Sequence, residues 1–217
     1  IDTTAIGHLL RRSEGTPFSP AQCVYLEMHH LDRVRLSKVK IRSMLKNQVI
    51  GHLDRIIPGL VVMGETAKAR YEPLFATEFW SCQTMQHLIR VSPDPRMLMA
   101  MSVPDLIAAF HDHGYAMGPK TARRIISYAH KVLLPDPELI AIRCELLAHD
   151  LTLLDEVQHH ITELEERLCA LLPHTPYQFW GRLKGLSPVQ VASLAASIGD
   201  PTHYEYAGQV FRRSGLV

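Results

Sequence analysis

Residues 180–217, WGRLKGLSPVQVASLAASIGDPTHYEYAGQVFRRSGLV, decide how the chain is read. Gly185-Leu186-Ser187-Pro188 opens a helix of small apolar residues, Val191, Ala192, Leu194, Ala195 and Ile198, and Gly199-Asp200-Pro201 closes it. A Gly just past the last periodic residue, followed by Pro, is a helix stop. The opening has the form of a helix-hairpin-helix, in which a Gly-rich hairpin offers backbone N–H groups at a helix N-terminus to a phosphate. Lys184 and Gly185 are the candidate contacts on that reading. A Gly before a Ser-Pro helix start also belongs to ordinary all-helical proteins, so at this point both readings stand.

The whole line extends the pattern: L-x-G-(hydrophobic)-S/G-P-x-x-A-x-x-L-x-x-x-I-G-D, then an aromatic, then a-x-x-(hydrophobic)-x-x-x-x-G-L. It is carried here by Leu183, Gly185, Leu186, Pro188, Ala192, Leu194, Ile198, Gly199, Asp200, Tyr204, Ala207, Gly215 and Leu216. In this it resembles the C-terminal transposase domain of the insertion-sequence 110/116/902 group. The resemblance implies a DNA recombination protein: a metal-dependent nuclease-like N-terminal domain, a helical linker and a C-terminal domain with a serine nucleophile. It also implies Mg²⁺ in the full-length protein, a structured guide RNA that pairs with DNA, and a prokaryotic, nucleoid-associated cytoplasmic setting. Ser214-Gly215 is read as a helix end, with the nucleophile expected beyond Val217, so the chain is expected to be an internal fragment that neither needs a cofactor nor cuts DNA alone.

Composition limits the alternatives. The 217 residues are 47% hydrophobic, enough for one or two modest cores. Net charge is only +1, so a nucleic-acid surface requires segregated charge. Charge is indeed segregated: residues 1–57 hold nine Lys/Arg against five Asp/Glu, and residues 136–172 hold two against nine. Cys23, Cys82, Cys144 and Cys169 are far apart without a C-x-x-C, as expected for reduced thiols in a cytosolic protein. No apolar run approaches the roughly 18 residues of a membrane span.

At the N-terminus, Asp2 to Arg12 reads as a helix with Ile6, Leu9 and Leu10 on one face. The resembled family has a D-x-x-D-A segment here, the end of an acidic set that holds a divalent metal. Asp2 falls on the first Asp, but Ala5 stands at the second, which removes a carboxylate that a hard cation needs. Taken alone, Asp2 reads equally as a helix cap.

After a turn-rich linker (residues 13–20), a long amphipathic helix is expected from Ala21 to Ile57, ended by Pro58-Gly59. Its apolar stripe is Val24, Met28, Leu31, Val34, Ile41, Leu45, Val49, Leu53 and Ile56, interrupted by Lys38. Between Arg33 and Lys46 six of fourteen residues are basic (Arg33, Arg35, Lys38, Lys40, Arg42, Lys46) and none is acidic. Such a run is either a phosphate-contacting face or a solvated one. Shorter helices follow at 66–78, 80–90, 94–100, 103–113 and 119–134. Gly118-Pro119-Lys120-Thr121-Ala122-Arg123-Arg124 gives a second hairpin-like start, with Gly118, Lys120, Arg123 and Arg124 as candidate phosphate contacts. From Asp136 to Leu172 a second long helix repeats Leu147, Leu151, Leu154, Val157, Ile161, Leu164, Leu168 and Leu171. That is a coiled-coil seam, either against the basic helix or, through residues 139–172, against a second copy. Its acidic faces oppose nucleic acid.

The thirteen histidines give no ligand spacing: His29-His30 and His159-His160 are adjacent pairs that diverge on a helix, as do His111 and His113. The expected chain is all-α. Residues 1–20 end a nuclease-like domain, 21–60 are the basic helix, 61–135 a hairpin-bearing helical subdomain, 136–172 the coiled coil, and 173–217 the front of the transposase domain. The alternative function is a non-catalytic helix-hairpin-helix DNA-binding module, with Gly118 and Gly185 marking its phosphate cradles.

Overall fold

A computed structural model describes residues 23–61, 74–75, 77–206 and 208–210. Among these residues every regular element is a helix and no strand occurs. The α-helices are α1 (Cys23–Ile56), α2 (Gln83–Val91), α3 (Pro95–Ala100), α4 (Val103–Asp112), α5 (Pro119–Ala129), α6 (Pro137–Leu171) and α7 (Pro188–Ile198). The expected helix at 66–78 lies almost wholly outside the described residues. The described residues fall into two compact units, one from the chain up to Ser37 together with Ile161 onward, the other Lys38–His160. Both long helices contribute to both units.

In the unit Lys38–His160 the C-terminal part of α1 runs antiparallel to the N-terminal part of α6. The pairing is fixed by polar ties whose numbers rise on one helix as they fall on the other. Arg42 Nη1 donates to Gln158 at 2.9 Å, and His52 Nε2 lies 3.2 Å from Asp150. Leu45, Val49, Leu53 and Ile56 of α1 and Ile140, Leu147, Leu151, Leu154 and Val157 of α6 are buried. The shorter helices complete this core with Met85, Leu88, Ile89, Leu98, Leu106, Phe110, Ala122 and Ile125. Each such side chain, fully buried, contributes roughly 1.5–3 kcal/mol.

Local chemistry sets the helix ends. Ser102 and Asp105 form a reciprocal capping box at the start of α4, and their hydrogen bonds hold the Asp105 carboxyl below its ordinary value. Asp94 caps α3 by accepting from Arg96 N at 2.8 Å. Arg96 Nη2 donates to Pro135 O at 2.6 Å, which ties α3 to the approach to α6. Burial, chiefly, pushes the Cys144 thiol up to about 11 and the Tyr128 hydroxyl to about 12, so both stay protonated at neutral pH.

The second unit packs the start of α1 and the end of α6 against α7. Tyr25, Met28 and Leu31 meet Leu168, Leu172, Tyr177, Val191, Ala192, Ala195 and Ala196. Ala192 and Ala195 are fully buried, and their small size lets larger side chains of the neighbours fill the space. Gly199 takes φ +81°, donates from its N–H to Ala195 O at 2.8 Å, and ends α7 where the sequence puts the stop. Tyr177 Oη then donates to Gly199 O at 2.9 Å.

The seam residues Leu147, Leu151, Leu154, Val157, Ile161 and Leu168 are buried within this one chain. Gly51 lies inside α1, and a Cβ there meets nothing within 4 Å. Because Gly in a helix interior costs about 1 kcal/mol relative to Ala, Gly51→Ala should raise the urea midpoint by an amount worth roughly 0.5–1 kcal/mol. A midpoint that stays put or falls would mean that α1 gains nothing from a stiffer backbone at this point.

Candidate nucleic-acid interface

The six cations between Arg33 and Lys46 do not form one free face. Successive residues turn about 100° around a helix, so the six positions spread over more than one side of α1. Arg33 and Lys40 are exposed, whereas Arg35, Lys38, Arg42 and Lys46 are half-buried. Arg35 Nε donates to Glu165 Oε1 at 2.8 Å, and its Nη1 lies 3.5 Å from Asp32 Oδ1. Asp32 is buried and also accepts from Ser193 Oγ at 2.8 Å, so α1, α6 and α7 share one polar cluster. Lys46 Nζ sits 4.8 Å from the centre of the Trp80 ring, a cation–π contact.

The acidic residues of α6 are drawn into the same kind of work. Glu165 takes Arg35 and Asp150 takes His52, while Asp155 accepts both Nη1 and Nη2 of Arg90 at 2.7 and 2.8 Å. Bidentate geometry of this sort is the strong form of an ion pair. The acidity of α6 is therefore partly an internal complement to cations on α1 and α2.

The turn between α4 and α5 has a different character. Helix α4 closes with Tyr115 N donating to Phe110 O at 2.9 Å and Gly114 N to His111 O at 2.8 Å, with Gly114 at φ +77°. This paired closure needs a left-handed residue at position 114, which Gly supplies without a Cβ clash. Tyr115 then stacks on His87 of α2 with ring centroids 3.6 Å apart. The buried His87 Nδ1 has no hydrogen-bond partner, and burial followed by the nearby Arg90 holds that imidazole below its ordinary value, so it stays neutral.

Three residues later Gly118 caps α5 without any side-chain hydrogen bond, and Pro119 occupies the first turn. Gly118 has an ordinary φ of −87°, and a Cβ there meets nothing within 4 Å, so nothing inside the fold requires glycine. Gly118 and Lys120 are exposed at this helix start, and the cap residue has no side chain to accept from the first-turn N–H groups of Lys120 and Thr121. Lys120, Arg123 and Arg124 are exposed around it; Arg123 Nε donates to Pro119 O at 3.3 Å and the Arg124 guanidinium lies 5.4 Å from the Phe75 ring.

The start of α7 contrasts with this. Ser187 Oγ accepts from Gln190 N at 3.3 Å, and Gln190 Oε1 accepts from Ser187 N at 2.8 Å. That capping box already uses two of the donors that a phosphate would take. Gly185 is exposed at φ +96°, and Lys184 is exposed beside it. Of the two hairpin candidates, only the one at Gly118 keeps its helix start open.

Asp2 and Ala5, like Ser214, Gly215 and Leu216, lie outside the described residues. Among the described residues no group of three or more His, Cys, Asp or Glu is placed to hold a metal. His29 Nδ1 lies 3.4 Å from Ala196 O, and His113 Nδ1 2.8 Å from Ala109 O. No described helix is long and apolar enough to cross a membrane. The chain matches no family model, no curated protein and no solved structure.

Proposed function

We propose that this chain is the part of a DNA recombination protein that grips nucleic-acid backbone, with the α4–α5 turn as its principal contact. One observation carries the reading: the start of α5 has no side-chain cap and stands among the exposed cations Lys120 and Arg123. A helix start with open N–H groups and the positive end of the helix dipole favours a phosphate, and flanking cations add a term that ignores base sequence. In this reading Arg33 and Lys40, exposed on α1, are secondary contacts, and Lys184 and Gly185 lend a weaker one. The wider identity rests on the resemblance of residues 180–217 to the insertion-sequence 110/116/902 transposases. From it come the strand chemistry, Mg²⁺ and the guide RNA, all assigned to the full-length protein.

The second reading, a hairpin-helix module that binds DNA without chemistry, uses the same surface and is favoured by the same open helix start. Lys120→Glu with Arg123→Glu should weaken binding to all DNA sequences alike and reduce the slope of log K against log salt by about two units. Because both side chains are exposed, melting should hold. A slope equal to the parent's would remove the α4–α5 turn from the interface. On a branched substrate with Mg²⁺ and RNA, the chain should retain DNA without joining strands. Covalent capture of a DNA end, abolished by Ser214→Ala, would instead place the chemistry within it.

A further inference from the structure

The segment leading into α7 presents aromatic rings to solvent. Phe179 and Trp180 are 59% and 41% exposed, although Tyr177, two residues earlier, is 4% exposed. All three belong to a 3-10 stretch, Pro176–Arg182, in which Trp180, three residues after Tyr177, lies on the same side one turn further on and Phe179 on a neighbouring side. Tyr177 is fixed from below by its hydrogen bond to Gly199 O and by an edge contact with Tyr25 at 6.4 Å. Trp180 meets the Tyr177 ring edge-on, with centroids 5.4 Å apart at 75°. A buried, hydrogen-bonded ring therefore orients an exposed one.

Along the chain, the charges that flank these rings have one sign. From Arg167 to Gly199 the chain has no Asp or Glu, and Arg182 and Lys184 follow Trp180 directly, both exposed. The Arg182 guanidinium lies 5.7 Å from the Phe179 ring centre. Exposed rings alone would suit many partners. Two exposed rings, Trp180 held edge-on by Tyr177 and Phe179 beside the Arg182 guanidinium, followed along the chain by cations, suit a polyanion that also offers flat apolar faces. That chemistry is a strand with unpaired bases, which stacks on aromatic rings while its phosphates meet Arg and Lys. A duplex hides its base faces and has no use for the rings.

We infer that Phe179 and Trp180, with Arg182 and Lys184, form a stacking site for an unpaired stretch of DNA, in the unit that carries α7. The inference rests on the DNA-binding reading above and adds a second class of contact to it: single-strand capture here, backbone grip at the α4–α5 turn.

Trp80 and Trp180 are the two tryptophans, so Trp80→Phe leaves Trp180 as the sole reporter. In that background a fifteen-nucleotide oligo-dT should quench the emission on binding. Phe179→Ala with Trp180→Ala should weaken oligo-dT binding on the order of tenfold per ring or more, with melting and affinity for a fifteen-base-pair duplex unchanged. Lys184→Glu should lower the salt slope for oligo-dT by about 0.7. Equal oligo-dT affinity in parent and double variant, or emission unmoved by saturating oligo-dT, overturns the stacking site. A double variant that loses mass in sedimentation and keeps its oligo-dT affinity overturns it too, by making the rings a protein contact. Tighter binding of oligo-U than of oligo-dT overturns the assignment to DNA. Duplex bound without any oligo-dT binding defeats this inference and leaves the backbone grip standing; failure to bind either defeats both.

Discussion

Leu154→Asp combined with Ile161→Asp is expected to abolish cooperative folding near room temperature, with no change of mass in sedimentation before the protein unfolds. Leu154 is 6% exposed and Ile161 1% exposed within a single chain, so each new carboxylate enters an apolar site already filled from the same molecule. Burying a polar group without a partner costs several kcal/mol, and a charge costs more. Two such sites on one helix approach or exceed the roughly 5–15 kcal/mol that holds a typical domain. Circular dichroism against temperature reads the loss directly. Should the variant instead keep its melting temperature and fall from a dimer to a monomer, the seam would belong to an interface between copies. Leu139, Ile142 and Leu146, exposed on α6 beside the buried positions, would then be its continuation.

Much of this architecture is legible in the residues because it depends on short-range signals. Helix α6 begins and ends within two residues of its Pro punctuation, α1 ends two residues before Pro58, and the stop at Gly199 falls where a left-handed residue follows the last apolar one. What the sequence hides is pairing across distance. Arg35 meets Glu165 at a separation of 130 residues and Arg42 meets Gln158 at 116, so the density of cations on α1 says nothing about which of them are already engaged. The acidic run on α6 misleads for the same reason: read alone it is a solvated face, yet Asp150, Asp155 and Glu165 each hold a cation or imidazole from elsewhere in their own unit. The difference between the two hairpin starts was partly visible. Ser187-Pro188-Val189-Gln190 has the spacing of a capping box, and Gly118-Pro119-Lys120-Thr121 lacks one. The orientation of Phe179 and Trp180 had no such signal, since a 3-10 winding through Pro176 is set by the packing of Tyr177 beneath it.

Arg35→Glu is expected to act on stability first and on nucleic-acid binding only through it. The Arg35 side chain is 17% exposed, between Asp32 at 8% and Glu165 at 30%. Reversing its charge removes the partner of both carboxylates and adds a third carboxylate beside them. Breaking one side of a buried pair costs about 3–5 kcal/mol; partial exposure at Glu165 moderates this and the added repulsion works the other way. Asp32 keeps the hydroxyl of Ser193 at 2.8 Å but loses its counter-charge, so the tie among α1, α6 and α7 weakens at its centre. Chemical denaturation should therefore register a loss of a few kcal/mol, and Glu165→Arg in the same molecule should recover part of it by restoring an opposite charge across the pair. Arg33→Glu with Lys40→Glu is the informative contrast, because both residues are exposed on the same helix. That pair should leave denaturation unchanged and reduce the log–log salt slope for duplex DNA by up to about two units, if the outer side of α1 supplies the secondary phosphate contacts. An Arg35→Glu protein as stable as the parent, yet weaker on DNA with a lower salt slope, would show that Arg35 leaves its carboxylates for phosphate, and α1 would then be a primary contact.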